Sequence, residues 1–87
     1  MSQWIDVKER LPEVDPENLN RTKPYRGHPF APVLFYVKHV GLCAGRFFPR
    51  QTKLRPPHPD IFVSLQGVVF EKRRVTDWMP PPLPPSR

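Results

Sequence analysis

The chain reads as a small β-rich domain, all-β or α+β, in which an antiparallel sheet of two hairpins plus a C-terminal strand is joined by long proline-rich loops. Three observations carry that reading. Fourteen prolines among 87 residues interrupt any sustained helix, because each removes a helix hydrogen bond and clashes with the preceding turn. Two segments, PVLFYVKHVGLCAGRFF and DIFVSLQGVVFEK, carry runs of β-branched and aromatic residues on either side of a glycine, as hairpins do. A third, VTDWM, runs directly into further prolines, which cannot donate to a strand ladder and so end it.

Taken in order, QWIDV near the N-terminus supplies one further edge strand. Residues 15–20 fit a single helical turn with Asp15 as N-cap and Pro16 at the first helical position. The first hairpin sets Val33, Phe35 and Val37 on one face and Leu34, Tyr36 and Lys38 on the other, turns near Val40 and Gly41, and returns through residues 42–48. In the second, Ile61, Val63 and Leu65 alternate, Gln66 and Gly67 make the turn, and residues 68–71 return. Val33, Phe35, Val37, Ile61 and Val63 are expected to line one buried face. The last strand, Val75–Met79, follows the polar link Lys72, Arg73 and Arg74. Residues 12–32 and 49–60 remain as loops. No internal repeat is present, so residues 1–87 form one small domain, with 80–87 a proline-rich C-terminal tail.

A chain this short buries a modest core, and its single cysteine, Cys43, allows no internal disulfide. That fits a reducing compartment. The start, MSQWIDVKER, lacks the basic and apolar regions of a signal peptide, so a cytoplasmic location is expected. The longest apolar run, residues 33–37, is far short of the ~20 residues of a membrane span, and no membrane partner is expected. The net charge is +6 and the isoelectric point about 10.1. Residues 1–17 hold five acids against Lys8 and Arg10, a net −3, which leaves +9 for the rest. Basic character of this kind suits an anionic partner such as nucleic acid, and equally serves solubility.

Each candidate for chemistry has a plainer alternative. Cys43 has His39 or His58 as a possible base, yet GLCAG is an apolar strand where a buried, inert thiol is the expected state. A metal would need His28, His39, Cys43 and His58 to converge, and their spacing fits no familiar zinc pattern. The N-terminal carboxylates lie on a polar segment without the shielding that catalysis needs. Four glycines form no phosphate loop. No catalytic, cofactor-binding or metal-binding residue is therefore assigned, and no cofactor is expected. The run RFFPRQTKLR is more suggestive, since cations hold phosphates while exposed aromatic rings stack on bases. The candidate anion or partner contacts are Arg46, Arg50, Lys53, Arg55, Lys72, Arg73 and Arg74. Core packing is the expected fate of Phe47 and Phe48.

WIDVKERLPE at the start, VLFYVK in the middle and VTDWMPPPLPP at the end together resemble domain-of-unknown-function family 551, small proteins of phage and prophage genomes. The family pattern is roughly W-I-x-V-x-x-R-L-P, then V-L-V-Y-V, then V-T-H-W-M-P-x-P. Asp77 stands where the family commonly has histidine, and the two long loops exceed those of compact members. The resemblance implies a phage or prophage context and a small β-rich fold, and no activity. Trp4 and Trp78 are read as structural, two indoles packed near each other under proline rings so that the termini are stapled. The alternative is that P-x-x-P in the tail is a polyproline ligand.

The expected function is that of a non-enzymatic phage or prophage accessory protein that binds a host or phage protein, inhibition of a host enzyme or defence complex being one form this could take. The alternative is a basic nucleic-acid-binding module using residues 46–55 and 72–74. The two separate on whether those segments meet on one face beside exposed aromatic rings.

Overall fold

Strand formation follows the alternation read above, and the computed structural model describes residues 4–81. Six strands form one antiparallel sheet: β1 (Ile5–Asp6), β2 (Ala31–Val37), β3 (Gly41–Phe48), β4 (Ile61–Ser64), β5 (Val69–Glu71) and β6 (Val75–Met79), with a 3-10 turn at Lys72–Arg74. Their spatial order is β1-β6-β2-β3-β4-β5, so β6 leaves its sequence neighbour and enters between β1 and β2. In a flat sheet, four spacings of ~4.8 Å would put β6 ~19 Å from β5. The four residue steps from Glu71 to Val75 reach only about 14 Å. The sheet is therefore curled, and Phe70 of β5 meets Phe35 of β2 across its inside, with ring centroids 6.1 Å apart.

Both hairpins form. In the first, Val37 pairs with Gly41, and the turn is Lys38–Val40, slightly earlier than the Val40 and Gly41 expected, with His39 at φ 67°. In the second, the Gly67 N–H donates to Ser64 O and the Ser64 N–H to Val68 O, both at 2.9 Å. Gly67 has φ 90°, the left-handed position that a type I turn with a G1 bulge gives to glycine. The helical turn at residues 15–20 does not form. The Asp15 carboxylate instead accepts the Glu17 N–H at 2.9 Å, an Asx turn that offers the backbone an alternative to helix.

The inner face holds Ala31, Val33, Phe35, Val37, Phe47, Phe62, Val75 and Trp78, with Val7, Leu11 and Val14 of the N-terminal segment packed on it. Ile61 and Val63 are buried as expected but belong to the other face, with Phe48, under Tyr25 and Phe30. The expectation of a single buried face is corrected by register. Phe47 pairs with Phe62 and Phe48 with Ile61, so the inner position of β4 goes to Phe62, and Leu65, beyond the strand end, is exposed. Both phenylalanines of β3 are buried because both faces are covered at that point.

Trp78 joins the chain ends. Its indole N–H donates to the Arg10 carbonyl at 2.8 Å, and Ile5 is its cross-strand partner. The expected pairing of two indoles is not what the register gives. Ile5 shares the inner face with Trp78, so Trp4, one residue earlier, falls on the outer face, where it borders Tyr36, Thr76 and Asp77. The last part of the proline tail, residues 82–87, lies outside the described residues.

Candidate functional site: a basic cleft and an open sheet face

The loop of residues 49–60 folds back beside the 3-10 turn and encloses a cleft of about 580 Å³, lined by Arg50, Gln51, His58, Asp60, Glu71, Lys72 and Arg73 among others. Parts of the two basic segments thus meet. Acids stand among them: Asp60 Oδ2 is 3.9 Å from Lys72 Nζ, and Glu71 Oε1 is 3.3 Å from Arg73. Such exposed pairs contribute ~0–1 kcal/mol each, so they moderate the charge rather than lock the cleft. Asp60 Oδ1 also accepts the Arg50 N–H at 2.8 Å, which holds the start of the loop to its end.

The remaining basic candidates are dispersed. Arg46 turns to the groove at the other side of the 20–30 loop, its guanidinium carbon 5.4 Å above the Phe30 ring. Lys53 and Arg55 are exposed on the 49–60 loop, and Arg74 is exposed with its carbonyl accepting the Lys38 N–H. No aromatic ring other than His58 lines the cleft, since Phe47 and Phe48 are in the core. The cleft therefore has cations for phosphate but no platform for base stacking.

The outer face is a different kind of surface. Leu34 is flanked by Met79 on β6 and Ala44 on β3, and Tyr36 by Asp77 and Leu42, so these side chains share one face of the pleat. The 20–30 loop covers this face only over β3 and β4. What it leaves open is apolar: Leu42 is 63% exposed, Tyr36 49% and Trp4 37%. Trp4, Tyr36, Thr76 and Asp77 frame a shallow depression of about 360 Å³.

Cys43 is half-buried against the inner core, its thiol 3.8 Å from the Gly41 carbonyl, while His58 packs with Phe48 on the opposite side and His39 sits exposed in the first turn. The thiol–imidazole dyad does not assemble. Of the four residues a metal would require, only His28 and His58 come together, and among the described residues no three potential ligands cluster. That histidine contact went unread in the sequence, where its one local sign is that both residues precede proline. Among the described residues no helix is long and apolar enough to cross a membrane. Compared with protein-family models, curated proteins and solved structures, the chain gives no match.

Proposed function

We propose that the protein is a non-enzymatic binding module that docks on another protein through the open outer face of its sheet. The observation that carries this reading is the exposure of Trp4, Tyr36 and Leu42 around Leu34, Ala44 and Met79. Aromatic residues set in an apolar surround are the usual anchors of protein interfaces. Asp77, at the edge of the same depression, favours a basic residue on the partner. The resemblance of the two termini and the first hairpin to family 551 supports a phage or prophage context, in which the partner is a host or phage protein; inhibition of a host enzyme or defence complex is one role such a contact could serve.

The second reading, a nucleic-acid-binding module, is favoured by one observation, the meeting of Arg50, Lys72 and Arg73 around a single cleft. Capture from nuclease-treated lysate of a lysogenic host separates the two. The protein reading expects a partner retained by the parent and by Arg50→Glu and Arg73→Glu, and lost from Tyr36→Glu and Leu42→Glu. Those two substitutions fall on exposed side chains, where stability changes stay within about 0.5 kcal/mol. The nucleic-acid reading expects the converse: no capture after nuclease, and for Arg50→Glu weaker single-strand binding with a flatter salt dependence, because each phosphate contact releases a counterion.

A further inference from the structure

The two buried histidines make hydrogen bonds that balance only if the pair holds an additional proton. His28 Nδ1 lies 2.9 Å from His58 Nε2. The outer nitrogens face carbonyl oxygens, His28 Nε2 at 3.0 Å from Arg55 O and His58 Nδ1 at 2.7 Å from Pro59 O. A carbonyl oxygen only accepts, so both outer nitrogens must carry hydrogen. The contact between the rings needs a third. Two neutral imidazoles supply only two ring hydrogens, whichever tautomers they adopt. One of the three contacts would then set lone pair against lone pair, in a site where His28 is fully buried and His58 is 8% exposed. An unmet polar contact in such surroundings costs far more than one in water.

We propose that His28 and His58 together hold three ring hydrogens, one imidazolium donating to one neutral imidazole, and that this shared proton latches the 20–30 loop to the 49–60 loop. The latch joins two segments that carry no strand of the main sheet. The first closes on itself through the Leu19 bridge to Pro29, and the second through the bridge of Gln51 to His58. Tyr25 stands steeply inclined to both imidazoles, with centroids at 5.5 and 5.1 Å, and Phe48 backs His58 at 6.1 Å. The ionisable groups around the pair are the Tyr25 phenol from the first loop, Arg50, Arg55 and Asp60 from the second, and Glu71, Lys72 and Arg73 across the cleft that His58 lines. Asp60 and Glu71 stand among these cations on the cleft side, paired with Lys72 and Arg73. Without the shared proton the rings repel at their point of contact, and the cover over Phe48, Ile61 and Val63 loosens. The inference does not depend on what the outer face binds.

Nitrogen NMR of the full chain labelled in histidine tests it. At neutral pH the result expected is a through-hydrogen-bond coupling between His28 Nδ1 and His58 Nε2 and three ring hydrogens on the pair, with exposed His39 as the internal reference. Two ring hydrogens and no coupling would overturn the proposal.

Discussion

Replacing Trp78 by alanine removes both the largest inner-face side chain of β6 and the hydrogen bond that ties the two ends of the chain. The indole is 6% exposed and packs in the cluster with Phe35 and Val75. Truncating a buried aromatic to alanine costs ~3–5 kcal/mol, and loss of the bond to the Arg10 carbonyl adds ~0.5–1.5 kcal/mol. At ~0.05–0.15 kcal/mol per residue, a domain of 87 residues has roughly 4–13 kcal/mol in total. Trp78→Ala is therefore expected to leave the protein largely unfolded or with a melting temperature lower by tens of degrees. Trp78→Phe keeps most of the burial and should lose only about 1–2 kcal/mol, the hydrogen bond and a little volume. Urea and thermal unfolding of parent and both variants, followed by circular dichroism, give the comparison. A Trp78→Ala protein that melts like the parent would refute the assignment of the indole as the joint between the termini.

Gly45 should be as intolerant for a different reason. A Cβ built there meets the Val63 carbonyl oxygen, with Ser64 Cα at 2.8 Å, so Gly45→Ala must push β4 away from β3. Loss of the folded spectrum, or failure to express in soluble form, is the outcome expected, and a parent-like melting curve would count against the close strand contact. Cys43→Ala should be nearly silent, costing about 1 kcal/mol of stability and leaving partner capture intact. Abolished capture from a protein that still melts normally would reassign the thiol to the binding surface.

Alternation of side chains, the placement of glycines and the proline stop are local properties, and they determined the strands without help from the rest of the chain. Val75–Met79 was legible because a strand of period two is closed by residues that cannot extend it, and the Gly67 turn because its backbone angle suits glycine. The buried state of Ile61 and Val63 was legible as well. Which face they occupy was not, since a strand hydrophobic on both sides has no preferred phase until β3 pairs with it and Phe47 meets Phe62. The insertion of β6 between β1 and β2, which sends Trp4 and Trp78 to opposite faces, is likewise a long-range pairing that no window of sequence contains. Of the seven basic residues read as contacts, the tertiary structure gathers Arg50, Lys72 and Arg73 at one cleft and sends Arg46 over Phe30, because strand direction and loop path, rather than proximity in sequence, set where a long side chain ends. The histidine pair shows the same limit most clearly. Thirty residues separate His28 from His58, and only the folding of two loops over a shared core places one imidazole nitrogen opposite another.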